Sequence, residues 1–368
     1  MIYLDHNATT PLDQRVLDVM LPFLENFYGN PSSLYRHGRI VRSAIDTARE
    51  QLAALLGVQA AQIIFTSGGT EANNLALARL KPKQRLAISA IEHACIIEPA
   101  RFLEQQGCTL DIINVDSNGV IPQEAIDQAL ARQPDMVSIM LANNENGAIQ
   151  PISKYAAQFH AKQIVVHTDA VQALGKIPVA FGDLGVDLMS LSSHKIYGPK
   201  GCGALVYDQN LQVQPLLRGG GQEQAIRAGT ENVAAIVGFG KAAELAKAEL
   251  TQRSEHLLKL RLLLEHALLE IAGLSIFAYA ATRLPNTVQF GVEGFDGEML
   301  LMRLDKKNIA VSSGSACDSG AREPSHVLTA MGVEAQLAKS AIRVSLGIAN
   351  TEVEVLEFVS QLKSLIIN

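Results

Sequence analysis

The chain has 368 residues, 48% hydrophobic and 18% charged, a composition of buried cores that excludes a disordered protein and, at this length, predicts one large domain plus a smaller one. A net charge of −6 and a pI near 5.9 exclude broad electrostatic binding to nucleic acid or anionic membrane. No apolar stretch approaches the ~20 residues of a membrane span.

The N-terminus opens with Met1-Ile2-Tyr3-Leu4-Asp5-His6-Asn7-Ala8-Thr9-Thr10, without a basic region followed by an apolar one, so no secretory signal is expected. From about residue 45 to 250, helical patterns at 41–56 and 122–132 alternate with short apolar runs. Those runs are Ile63-Ile64-Phe65, Arg85-Leu86-Ala87-Ile88, Met136-Val137-Ser138-Ile139-Met140, Ile164-Val165-Val166 and Leu188-Met189-Ser190-Leu191. Such runs, separated by helices, predict a mainly parallel sheet buried on both faces, with ligands beyond the carboxyl ends of its strands.

The chemistry-bearing residues follow those ends. Phe65-Thr66-Ser67-Gly68-Gly69-Thr70-Glu71 reads as a strand, a glycine turn and a helix start. Free N–H groups around Gly69, the helix dipole and the Thr70 hydroxyl favour an anion there, or the turn is a plain connection capped by Ser67 or Thr70. It lacks the lysine of a P-loop. His93, just past the run ending at Ser89, reads as a structural histidine, a metal ligand with Cys95, or a residue that stacks on a ring cofactor and moves protons. Asp169 either caps a helix over 170–174 or partners a pyridinium nitrogen, with Gln172 one turn on reaching toward the same ligand. Lys195, in Ser192-Ser193-His194-Lys195-Ile196-Tyr197-Gly198-Pro199, is either a loop lysine or a desolvated Schiff-base amine. An aspartate and a lysine at the ends of neighbouring strands, beside a phosphate cradle, match what pyridoxal phosphate (PLP) requires.

A long charged helix is predicted over 242–272, with Leu257, Leu260, Leu264, Leu268 and Ile271 on its core face. A mixed pattern follows: a strand at 286–290, a helix at 298–307 and a strand at 342–346. The expected division is a large domain over 13–255 and a small domain over 1–12 and 256–368. Cys317 lies in Ser312-Ser313-Gly314-Ser315-Ala316-Cys317-Asp318-Ser319-Gly320, which has no side chains with which to pack a core. That marks the thiol as a nucleophile or sulfur carrier on a mobile loop of about 312–322. Cys95, Cys108 and Cys202 read as small buried hydrophobes. Four scattered cysteines without a C-x-x-C pair predict no disulfide framework, no metal site and a reducing cytoplasm.

Taken together, these motifs make the sequence resemble a group I cysteine desulfurase of the NifS/IscS type, a class V aminotransferase-family enzyme of PLP fold type I. The matches run through nearly the whole chain, including Asn143-Asn144-Glu145-Asn146-Gly147, Arg227-Ala228-Gly229-Thr230-Glu231-Asn232 and Ile342-Arg343-Val344-Ser345-Leu346-Gly347. The resemblance implies an α/β large domain, its mainly parallel sheet flanked by helices, and a smaller α+β C-terminal domain. It implies Lys195 as the Schiff-base lysine, Asp169 on the pyridine nitrogen, Asn144 and Gln172 near the phenolic oxygen, and His93 stacked on the ring. Thr70, Ser192 and His194 would hold the phosphate, with Gly69 and Ser193 also binding the cofactor and Thr230 arriving from the second subunit of a homodimer. Arg343 would clamp the substrate carboxylate.

The implied reaction converts L-cysteine to L-alanine and leaves the sulfur as a persulfide on Cys317, for an iron–sulfur scaffold or another sulfur carrier. Other fold type I enzymes (an aminotransferase, a selenocysteine or cystine lyase), a non-catalytic sulfur relay and a cysteine redox sensor are the competing readings. Three features depart from the family pattern: Gln224-Ala225 where relatives commonly show Arg-Gly, Tyr35 in place of a frequent histidine, and an end soon after a helix opening at Thr351 where cluster-assembly members carry a docking tail.

Overall fold

The computed structural model describes residues 1–313 and 324–367. Its central sheet has seven strands in the order Ile63–Thr66, Gly203–Tyr207, Leu188–Ser192, Val165–Asp169, Met136–Ser138, Arg85–Ser89, Thr109–Ile113. Gly203–Tyr207 runs antiparallel to both neighbours, and the remaining pairs are parallel. Every residue of Ile63–Thr66 and of Leu188–Ser192 is buried, as expected of strands covered on both faces.

The antiparallel strand was not predicted, and its first residue shows what it contributes. A Cβ on Gly203 would lie 2.5 Å from the Gly68 carbonyl carbon, so only glycine lets the Ser67-Gly68-Gly69 turn seat against the sheet. Residues 171–176 are turns, so 170–174 does not form the helix allowed from sequence. The chain reverses at Gly175 (φ +72°), where a Cβ would meet Ile196 Cγ2 at 2.8 Å.

The long helix is Val233–Leu269, starting well before the predicted residue 242. Asn232 caps it by accepting from the Ala235 N–H at 3.3 Å. Its first turns escape the leucine pattern because they pack through small residues. A Cβ on Gly240 would lie 2.5 Å from Ala48 Cα, and one on Gly238 would lie 2.6 Å from Met20 Sδ. The first half joins the core around the large sheet through Ala235, Ile236 and Phe239. The second half joins a separate core with Leu4, Val288, Phe290 and Phe358 through Leu257, Leu260, Leu264 and Leu268.

Around that second core lies an antiparallel sheet in the order Ser312–Ser313, Ile342–Ser345, Thr287–Val292, Leu274–Ile276. Ser312–Ser313 is therefore strand, not loop, because it pairs with Ile342 and Arg343. Ile2–Tyr3 pairs with Ile309–Ala310, and Asp5 bridges to Ser345. The next residues cross to the large sheet, where Thr10 N donates to the His194 carbonyl at 3.0 Å. This N-terminal crossing sets the two sheets against one site. No helix among the described residues is long and apolar enough to cross a membrane.

Candidate active site

The strand ends and the N-terminal crossing bring most of the sequence-predicted residues together. Asp169 is buried at the end of its strand. Its Oδ1 accepts from the Val171 N–H at 2.9 Å and its Oδ2 from Asn73 Nδ2 at 2.7 Å. Lys195 sits on the single turn that follows Leu188–Ser192. Its Nζ donates to the Asn7 and Ala8 carbonyls at 2.5 and 2.7 Å.

Asn7 is a hub that sequence reasoning missed. Its carbonyl also accepts from Gln172 Nε2 (3.0 Å), its Nδ2 donates to the Asn144 carbonyl (3.0 Å), and its Oδ1 accepts from Lys176 Nζ (2.9 Å). Lys176 is buried and donates its other bond to Gln172 Oε1 at 2.8 Å. Burial, with Lys195 and Arg343 nearby, pulls its pKa well down. The only sequence signal for Asn7 was a run of polar residues in an otherwise apolar segment, and a lone lysine such as Lys176 carries none.

The glycine turn forms a cradle. Gly69 opens helix Gly69–Leu77, and a Cβ there would meet Val171 Cγ2 at 2.9 Å and Ser192 Cβ at 3.5 Å. Ser192 Oγ is buried beside it and has no hydrogen-bond partner among the described residues. Thr70 is exposed on the first turn. Ser193 differs from its neighbour: its Oγ lies 2.1 Å from where a Gly198 Cβ would stand, so it points under the lysine turn. His194 Nδ1 lies 3.2 Å from Thr9 Oγ1, and burial, then Lys195 and Lys200, lowers its pKa to about 4.

His93 caps helix Ala94–Gln105. Burial lowers its pKa; Asp169 opposes that shift, while Lys195, His326 and Arg343 add to it. Arg343 is buried on strand Ile342–Ser345. Its Nη2 pairs with Asp5 Oδ1 at 2.7 Å, its Nη1 donates to the Asn144 carbonyl at 3.2 Å, and its Nε has no partner among the described residues. The predicted substrate clamp thus carries an internal carboxylate.

Cys317 lies outside the described residues, but both flanks of residues 314–323 reach the site. On one side Ser312 pairs with Arg343. On the other, Ser325 Oγ donates to buried Glu145 at 2.5 Å, and His326 Nε2 donates to the Glu92 carbonyl at 2.9 Å. Thr230 is exposed, on a segment tied to the cradle helix through Arg227 and Glu71 at 2.9 Å. Cys95 is more than packing: Asn73 Nδ2 donates to its sulfur at 2.9 Å.

Residues 2–358 match the Aminotransferase class-V family. The chain is 43% identical over 357 residues to a protein named cysteine desulfurase IscS from Dictyoglomus turgidum, covering 95% of this chain and 91% of that one. A NifS-like protein from Rickettsia africae superposes with a TM-score of 0.92 at 36% identity, over the whole of both chains. A structure described as SspA in complex with cysteine gives a TM-score of 0.84 at 32% identity, covering 95% of this chain and 100% of that one.

Proposed function

The chain belongs to the class-V aminotransferase family, and from that premise we propose that it is a PLP-dependent cysteine desulfurase that takes sulfur from L-cysteine, leaves L-alanine and carries the sulfur on Cys317. What supports this reading most is that the buried Ser192 hydroxyl beside Gly69 has no partner among the described residues, while Lys195 follows it on the next turn and Asp169 is bonded to Asn73 of the helix that Gly69 opens. These residues fit the cofactor. A pyridine nitrogen needs a carboxylate, a phosphate needs donors at a helix N-terminus, and a carbonyl carbon needs an amine.

Gly69, Thr70, Ser192 and His194 would hold the phosphate, Asp169 the ring nitrogen, Gln172 and Asn144 the opposite edge, and Lys195 the covalent link. When bound, PLP supplies an electron sink for the substrate Cα. Lys195 moves the Cα proton, and Arg343 binds the substrate carboxylate. His93, its pKa lowered by burial, would stack on the ring and hydrogen-bond the reacting thiols. The Cys317 thiolate attacks the substrate sulfur and the C–S bond breaks. The electron pair stays with the carbon fragment, which gains a proton and leaves as alanine, while Cys317 keeps the sulfur as a persulfide.

We assign the working form as a homodimer in the cytoplasm. Leu24, Tyr28 and Leu34 are 62%, 84% and 88% exposed, large apolar side chains that a second copy would cover while bringing Thr230 to the site. The acceptor is a sulfur-binding protein, either an iron–sulfur scaffold or another carrier. Cys317→Ala is expected to abolish persulfide formation while the Lys195-bound cofactor keeps its absorbance; undiminished sulfide release by this variant would sink the reading.

A further inference from the structure

An imidazole at a helix N-cap is unusual, since Ser, Thr, Asp and Asn are the common choices, and at His93 it fixes where the ring proton sits. Nδ1 accepts from the Cys95 backbone N–H at 3.1 Å. A backbone N–H only donates, so Nδ1 is the bare nitrogen and Nε2 carries the proton. The Cys95 thiol lies 2.9 Å from the same Nδ1 and, facing a bare nitrogen, is the donor. Burial, with Asp169 nearby, pushes that thiol's pKa up, so the S–H persists at neutral pH. Cys95 Sγ is held in turn by Asn73 Nδ2 at 2.9 Å, and the same amide donates to Asp169 Oδ2 at 2.7 Å. Asn73 is fully buried. One unbroken hydrogen-bond chain thus runs from Asp169 through Asn73 and Cys95 to His93.

We propose that Cys95 is a positioning residue: its thiol, anchored by Asn73, holds His93 as the neutral tautomer with its proton on Nε2, the nitrogen that acts on the reacting thiols. His93 then acts by stabilising a thiolate through Nε2–H and not as a base at Nδ1. The role toward thiols rests on the desulfurase reading; the tautomer does not. Two donors on Nδ1 and the positive end of the helix dipole both oppose protonation of the ring. Of the charged groups facing it, Asp169 favours the cation, while Lys195, His326 and Arg343 disfavour it.

The test is nitrogen NMR of histidine-labelled holoenzyme, with His93 assigned by comparison with His93→Gln. Wild type is expected to show a bare Nδ1 and a protonated Nε2, whether or not alanine is formed in a parallel assay. A protonated Nδ1 at neutral pH would overturn the proposal. Cys95→Ala removes one donor to the neutral ring, worth roughly half to one pH unit, so the His93 pKa and the acid limb of kcat/KM should rise together by that amount. In the same variant kcat should fall about three- to tenfold, with KM for L-cysteine unchanged. Cys95→Ser keeps a donor and should restore both. A His93 pKa and acid limb identical in wild type and Cys95→Ala would also contradict the assignment, because a purely structural thiol would leave them in place. The wild-type spectrum decides the tautomer even if Cys95→Ala does not fold.

Discussion

The two sides of the site are built on different terms. On the large-sheet side, Asp169, Ser192 and Lys195 leave the ends of buried strands, so the sheet ladder sets their positions, and Ser192 Oγ has no partner among the described residues. On the small-sheet side, Arg343 is already engaged by Asp5 and by the Asn144 carbonyl, and Ser325 is already bonded to Glu145. At Ser192 the first side binds by adding an acceptor to a waiting hydroxyl. With Arg343 as the proposed clamp, the second would exchange one carboxylate for another, a smaller net gain that would favour reversible substrate binding.

Glu92 lies between the sides. Its Oε1 accepts from Ser89 Oγ at 2.6 Å and from the Met140 N–H at 2.7 Å, while its carbonyl holds His326. Burial raises its pKa from 4.5 to about 8. The unfolded chain loses this proton near pH 4.5 and the folded chain keeps it to about 8, so unfolding releases a proton between those values. Stability therefore falls as pH rises through that window and levels above it. Glu92→Gln should flatten the slope and stabilise the protein at pH 8 by on the order of a few kcal/mol, read from denaturant midpoints across pH. An unchanged slope would mean Glu92 does not join the sides as a neutral acid.

The exchange at Arg343 is sharpened by Arg343→Lys, which loses the planar fork and should raise KM for L-cysteine by roughly 10- to 100-fold with a much smaller change in kcat. A KM at the wild-type value would place the carboxylate site elsewhere. Smaller still is Ser192→Ala. Losing one phosphate donor should weaken PLP binding about three- to tenfold by equilibrium titration, and no loss would show that the cradle works through its backbone alone.

The large-sheet side was the more legible in sequence. A short apolar run announces a buried strand, and the residue after it announces a strand end, which is why Asp169, His93, Ser192 and Lys195 could be picked out. The central sheet's one antiparallel strand, Gly203–Tyr207, had no such marker, because an apolar run does not encode its direction. The small-sheet side depended on long-range meetings: Asp5 with Arg343, and Ser325 with Glu145. Their partners lie far apart in the chain, and no local spacing reports them. Cys95 was misread for a related reason. Its flanks look like helix packing, and only the fold sets Asn73 against its sulfur. Cys317 was singled out from composition alone and lies outside the described residues.

The most direct test of the central claim gives the PLP-loaded protein one equivalent of L-cysteine without an acceptor, then measures alanine and the mass of the Cys317 peptide together. The account predicts equal amounts of alanine and of Cys317 carrying one added sulfur. Alanine without modified Cys317 would point to a lyase, and neither product would contradict a desulfurase altogether.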